Sequence, residues 1–156
     1  MGFFDKVKDA GKGVLKGALV MAATPYGTVS AGKHQLCKVC MNSTYDKLTF
    51  VKVAAIEAEY VIKDDIKTFW LYMEDDVKFH HQIKVEFNSG ETCVILLSVD
   101  QNQGSGLSSA AARLAAHYKT AALLVEGLAK NVPELSDETK QWVNKILRYS
   151  GKGNLF

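Results

Sequence analysis

Alternation of apolar and polar residues constrains the fold of this chain more than any other feature. Over residues 79–87, Phe79, His81, Ile83, Val85 and Phe87 occupy every second position, and polar residues lie between them. Successive side chains of a strand point to opposite faces, so this spacing predicts a strand with one buried face. A hairpin turn at residues 88–90 leads into residues 92–99, which are apolar on both faces and need cover on both.

Four further segments have the composition of strands, at residues 34–41, 48–53, 56–62 and 66–73. The acidic turns between them, at residues 63–65 and 74–76, are too short to hold a crossover helix. Short connections join antiparallel neighbours, whereas parallel strands need a dozen residues or more. The sequence therefore predicts an antiparallel bent sheet or partial barrel of about six strands.

Helical spacing replaces this alternation after the strands. Residues 107–128 form an alanine-rich amphipathic pattern that ends before Pro133, and Ser136 is placed to cap a last helix. We predict an α+β fold in which the long C-terminal helix packs on the sheet. The predicted organisation is an amphipathic N-terminal helix at residues 1–24, a single α+β domain at 33–130 and a C-terminal helix appendage at 131–150.

The N-terminal segment carries the strongest indication of a binding function. Its apolar and basic residues recur at helical spacing, and its glycines mean that the helix needs a surface to lie on. This pattern suits an anionic membrane surface or a partner; the alternative is packing on its own sheet or on a second copy. The predicted binding residues are Phe3, Phe4, Val7, Lys8, Lys12, Val14 and Lys16.

Charge and cysteine content narrow the possible partners and the compartment. The chain of 156 residues has 19 Lys and Arg against 17 Asp and Glu, and only Arg113 and Arg148 carry a guanidinium. This balance argues against a nucleic-acid partner. Three cysteines cannot all pair within one chain, so we expect a reducing compartment. The prediction is a cytoplasmic protein, peripheral to the membrane through its N-terminal helix, with a protein partner or a second copy of itself.

The motif His34-x-x-Cys37-x-x-Cys40 is a candidate metal site, because it holds three soft ligands within seven residues. On a strand, alternation would place His34 and Cys40 on one face and Cys37 on the other. No Gly or Pro within the motif offers a tight turn. We therefore expect buried structural cysteines and no cofactor, with a metal site as the alternative.

His81 is the other polar residue with a functional alternative, because it lies on the apolar face of its strand. A histidine in this position usually makes hydrogen bonds within a core. The alternative is a pocket near His81, Cys93 and Trp70 that binds a small ligand or catalyses a reaction. No nucleophile, base and orienting acid can be assembled from the sequence, so we do not expect catalysis.

The hairpin at residues 83–90, the strand at residues 91–97 and the helix at 107–128 together resemble the bacterial pleckstrin-homology-like and GRAM-like small barrels. The resemblance covers residues 33–130. It implies lipid binding, peptide binding or scaffolding rather than catalysis. The early strands carry Lys33, Lys38, Lys47 and Lys52 but no Arg, which departs from the phosphoinositide-binding members. The combined hypothesis is a non-catalytic binding or assembly module.

Overall fold

The computed structural model describes residues 25–75, 80–98 and 118–156. Within these ranges the chain forms one sheet of seven antiparallel strands, in the spatial order β4-β3-β2-β1-β7-β6-β5. The strands are β1 Gly27–Gly32, β2 Lys38–Met41, β3 Lys47–Lys52, β4 Ala55–Val61, β5 Ile66–Met73, β6 Gln82–Phe87 and β7 Thr92–Leu97. The helices are α1 Ile62–Asp65, α2 Lys119–Asn131 and α3 Asp137–Tyr149.

The sheet curls into a half-barrel. Tyr60 lies on the edge strand β4 and Phe87 on β6, with four strands between them in the sheet order. In a flat sheet, five spacings of about 4.8 Å would separate the two strands by roughly 24 Å. The two ring centroids are 4.7 Å apart, so the curl brings these strands together across the interior.

Helix α1 joins the two edges of the sheet. It has four residues and connects β4, one edge strand, directly to β5, the other. Four helical residues span only about 6 Å, so the end of β4 and the start of β5 must be close. The neighbouring turns bond to this corner: the Ile62 N–H donates to the Asp46 carbonyl at 3.0 Å, and the Asn88 N–H to the Asp65 carbonyl at 2.9 Å. The sequence had indicated only a turn here.

Helices α2 and α3 fill the interior of the half-barrel. Leu124, Val125 and Leu128 of α2 are buried in the same apolar core as Ile83, Val85 and other inward-facing strand residues. α3 begins after Ser136, whose side chain accepts a hydrogen bond from the Thr139 N–H. Its buried residues, Trp142, Val143, Ile146 and Leu147, belong to that core as well. Among the described residues, no helix has the length and apolarity to cross a membrane.

The α+β class and the curled antiparallel sheet agree with the prediction, although the described sheet has seven strands rather than about six. The additional strand, β1, precedes residue 33, from which the domain was predicted to start. Its small residues give no alternating pattern, but they let β1 pair closely with β7. A Cβ at Gly27 would lie only 2.6 Å from Ile95 Cγ2, so a larger residue would not fit there. The predicted N-terminal helix and residues 107–117 of the predicted long helix lie outside the described residues.

Candidate functional site

A cleft lies between the edge strand β5 and helix α3. Its volume is about 490 Å³. One end is bounded by a hydrogen bond from Thr68 Oγ1 to the Glu134 carbonyl at 2.9 Å. Beyond the residues that line the cleft, Glu74, just after β5, forms an ion pair with Lys145 of α3. Strand and helix are therefore tied together at two points and leave an opening between them.

Among the described strands, β5 has no partner on the side away from β6, and its residues 68–71 line this cleft. The sheet register shows which backbone groups lie on that open side. The Phe87 N–H donates to the Glu91 carbonyl, and the Leu97 N–H to the His81 carbonyl, so odd-numbered residues of β6 bond towards β7. Even-numbered residues then bond towards β5, where Lys84 lies opposite Trp70. Because backbone groups alternate in direction along a strand, Phe69 and Leu71 direct theirs to the free edge.

The side chains around the cleft combine aromatic surface with a few polar groups. They are Thr68, Phe69, Trp70 and Leu71 of β5, and Ser136, Glu138, Thr139 and Trp142 at the start of α3. Trp142 is only 5% exposed, and its indole N–H has no hydrogen-bond acceptor within the described part of the chain. Tyr72 and Met73 continue β5 beyond the cleft as exposed apolar side chains.

The structure does not assemble His81, Cys93 and Trp70 into one pocket. Trp70 is half-buried and lines the cleft. His81 is buried and packs against the rings of Tyr118 and Trp142, at centroid distances of 5.1 and 6.3 Å. Cys93 is paired with Val85, four residues along β6 from His81, which separates them by roughly 13 Å. Of the three, only Trp70 contributes to the opening.

The residues of the His34-x-x-Cys37-x-x-Cys40 motif lie partly in a turn and partly in a strand. His34 lies in the turn between β1 and β2 with φ of 61°, so strand alternation does not apply to it. Its Nδ1 is 2.5 Å from Glu57 Oε2 and its Nε2 is 2.6 Å from the Tyr60 hydroxyl. Because a carboxylate only accepts, Nδ1–H donates to Glu57; in the neutral imidazole, Nε2 then accepts from the Tyr60 hydroxyl. Cys37 donates to the same Glu57 oxygen at 3.1 Å, and Cys40 lies three residues further along the chain, within β2.

The environment of this cluster keeps its thiol protonated. Burial, reinforced by the Glu57 carboxylate, raises the pKa of Cys37 to about 12. Burial raises the pKa of Cys93 to about 12 and also raises the pKa of Cys40. In return, the hydrogen bonds from Cys37 and His34 lower the pKa of Glu57. Because a protonated thiol is a poor nucleophile and a poor metal ligand, this arrangement favours a structural role.

No group of three or more His, Cys, Asp or Glu side chains in the described ranges has an arrangement that could hold a metal ion. The alternative metal site at His34, Cys37 and Cys40 therefore gains no geometric support. The N-terminal residues predicted to bind a membrane or a partner, from Phe3 to Lys16, lie outside the described residues.

Sequence reasoning missed the β5 edge and Trp142 as parts of a site. Trp142 has the helical spacing of an ordinary core residue. Nothing local distinguishes β5 from a central strand, because edge position depends on which strands pair far along the chain. The aromatic content of residues 66–73 was the available signal.

Comparison with known proteins gives no family for this chain: no protein-family model matches it, and no curated protein matches it significantly.

Proposed function

We propose that this protein is a non-catalytic binding module with a pleckstrin-homology-like half-barrel, and that it takes up an extended segment of a protein partner in the cleft between β5 and α3. The seven-stranded order, the short link between the sheet edges and the C-terminal helices support the fold part of the proposal. The protein-binding part rests mainly on one observation, the unpaired edge of β5 facing an open cleft.

An unpaired strand edge binds extended chains through its backbone. The N–H and C=O groups of Phe69 and Leu71 would bond a partner strand, which would become the eighth strand of the sheet. Backbone pairing provides affinity, and pockets for alternate side chains provide specificity. Trp70 and Trp142 offer apolar surface for such side chains, and the Trp142 N–H offers a donor to a carbonyl if the indole shifts towards the opening.

The polar chemistry elsewhere in the molecule is consistent with a non-catalytic role. The hydrogen bonds of Glu57 are directed to His34 and Cys37 inside the protein, and the Cys37 thiol is held protonated. Catalysis would require a nucleophile or general base free to face a substrate. This cluster instead fixes the turn between β1 and β2 to β4.

Proline substitution provides a direct test of strand addition. Leu71→Pro removes an N–H that points away from β6, a position where an edge strand tolerates proline. Leu71→Ala truncates the same side chain but keeps the N–H, so it is the matched control. Peptides would be selected from a displayed random library on the immobilised wild-type protein and then titrated against all three proteins.

The proposal predicts that selected peptides bind the wild type and Leu71→Ala, with at least a ten-fold loss for Leu71→Pro. A circular dichroism spectrum and melting curve would establish that Leu71→Pro is folded. Equal binding to folded Leu71→Pro, or a library that yields no binder, would exclude strand addition at β5.

The N-terminal segment is proposed as the recruiting element of the cytoplasmic protein, at an anionic membrane surface or on a partner. The proposal rests on its sequence pattern alone, from Phe3 to Lys16. Deleting residues 2–23 should leave the half-barrel folded and abolish sedimentation with anionic vesicles or the self-association of the full chain. A truncated protein that retains both properties would contradict recruitment through this segment.

A further inference from the structure

The charge of the cleft between β5 and α3 determines which side chain of a bound segment it accepts. Among the described residues that line the cleft, Glu138 alone carries a charge. Glu138 is exposed, and its carboxylate has no ion pair or hydrogen bond with another described residue. A carboxylate in this position attracts a positively charged group of a ligand.

The basic side chains around the cleft already have partners. Lys67 of β5 pairs with a glutamate of β6 at 3.6 Å, and Lys145 of α3 forms the ion pair described above. Lys84 of β6 has its Nζ 5.7 Å from the centre of the Tyr72 ring. The uncompensated charge at the cleft is therefore the negative charge of Glu138.

Trp142 provides a second group that lacks a partner. It lies four residues after Glu138 on α3, so the two side chains are neighbours on one helix face, and both line the cleft. Trp142 is 95% buried, and its indole N–H has no hydrogen-bond acceptor in the described ranges. Because a buried donor without an acceptor is costly, a ligand that brings a carbonyl oxygen to this N–H is favoured.

Trp70 provides an aromatic face on the strand side of the cleft. It is half-buried and belongs to the lining. The planar guanidinium of an arginine stacks on an indole ring and donates two parallel hydrogen bonds to a carboxylate. The ammonium of a lysine is a compact charge that does neither as well. The combination of Trp70 and Glu138 therefore matches arginine better than lysine.

An acidic ligand is the alternative, because α3 begins at this wall and the N-terminus of a helix favours negative charge. The chain itself already meets this preference. The Ser136 side chain accepts a hydrogen bond from the Thr139 N–H, and Asp137 and Glu138 occupy the first turn. Both carboxylates would repel an acidic ligand, so the observations favour a basic one.

We propose that the cleft selects an extended segment containing an arginine, whose guanidinium pairs with Glu138 and stacks on Trp70 while a backbone carbonyl of the segment accepts the Trp142 N–H. One helical turn, about 5.4 Å, separates Glu138 from Trp142, and an arginine side chain spans this distance from its own backbone. The inference rests on the proposed function, because strand addition at β5 is what brings the segment into the cleft.

Selection from a displayed random peptide library tests the charge preference. The wild type should enrich arginine at one position of its binders. Glu138→Lys reverses the charge at the cleft wall, so its binders should lose the arginine and carry Asp or Glu at that position. The matched control is Asp137→Lys, which makes the same charge change one residue earlier, outside the cleft lining; its binders should keep the arginine.

Intrinsic fluorescence measures the contribution of the pair without a label, because the two tryptophans of the chain both line the cleft. Replacing the arginine of a selected peptide with norleucine should weaken binding to the wild type at least ten-fold. The same replacement should weaken binding to Glu138→Gln only about two-fold, since the carboxylate contributes about five-fold. An equal loss for both proteins would show that the arginine does not pair with Glu138.

The outcomes distinguish this inference from the proposed function. Binders that are sensitive to Leu71→Pro but show no arginine preference, or that keep the preference in Glu138→Lys, would overturn the inference and leave strand addition intact. A library without binders, or binders that ignore Leu71→Pro, would overturn both. Circular dichroism checks that Glu138→Lys is folded. If it is not, selection on Glu138→Gln should show the loss of arginine enrichment instead, and retained enrichment would overturn the inference.

Discussion

Glu57 accepts two hydrogen bonds at one carboxylate oxygen, from His34 and from Cys37. The same imidazole also contacts the Tyr60 hydroxyl. Polar side chains therefore link the turn between β1 and β2 to strand β4. Polar side chains that hydrogen-bond one another stabilise the local structure and are not arranged for a reaction. At the scale of residues, the sequence correctly predicted that the cysteines are buried, but the link from His34 to Glu57 could not be predicted because it joins residues far apart along the chain.

The cysteines provide the first prediction at this scale. All three are buried and their pKa values are raised, so the native protein should react only slowly with Ellman's reagent at neutral pH. Denaturant should release three rapidly reacting thiols. Rapid reaction of one thiol in the folded protein would reveal a reactive cysteine and contradict the structural role.

The pH dependence of stability provides the second prediction at the scale of residues. Folding lowers the pKa of Glu57 below its ordinary value of 4.5, through hydrogen bonds from Cys37 and His34. The unfolded chain therefore binds this proton more readily than the folded one. The resulting stabilisation is present above pH 4.5 and is lost as the pH falls through the folded pKa.

Glu57→Gln should be less stable than the wild type at neutral pH, and the difference in unfolding free energy should shrink as the solution is acidified. Urea denaturation at several pH values measures this difference. Glu59→Gln removes the same formal charge from the same strand and serves as the control. A difference that stays constant with pH would mean that the charge of Glu57 is not what holds His34 and Cys37.

At the scale of elements, strong alternation predicted the strands that contain β4 and β6, and an apolar run predicted the strand that contains β7, whereas β1 was missed. Its glycines, serine and alanine carry no apolar pattern, and it is held by close pairing with β7. The β3–β4 turn lacked any signal, since Val53-Ala54 resembles strand rather than loop. Local patterns indicated which segments are extended. They could not predict the strand order or the edge position of β5, because both depend on pairings between residues distant in sequence.

Helix α2 provides the prediction at this scale. A Cβ at Gly127 would lie 2.6 Å from Met41 Cε and 2.8 Å from the Tyr45 carbonyl oxygen. Gly127→Ala should therefore destabilise the fold by about 1–3 kcal/mol, although alanine favours a helix by about 1 kcal/mol. Urea denaturation gives the value. Gly153→Ala, where a Cβ meets nothing within 4 Å, should be nearly neutral, and a stabilising Gly127→Ala would disprove the close packing of α2 on the β2–β3 turn.

At the scale of the whole molecule, the half-barrel has two different ends. At one end four rings pack on one another in the interior; they belong to His34, Phe50, Tyr60 and Phe87. At the other end, His81 packs against Tyr118 and Trp142 of the helical layer. The cleft opens where β5 and α3 separate, so the β5 edge has no partner strand among the described residues.

Amide hydrogen exchange at β5 tests this central claim most directly. In the free protein, the account predicts rapid exchange of the Phe69 and Leu71 amides and slow exchange of the Thr68 and Trp70 amides, which bond to β6. With a selected peptide bound, Phe69 and Leu71 should become protected as well. Protection of Phe69 and Leu71 already in the free protein, or their continued rapid exchange in the complex, would show that no partner strand pairs with this edge.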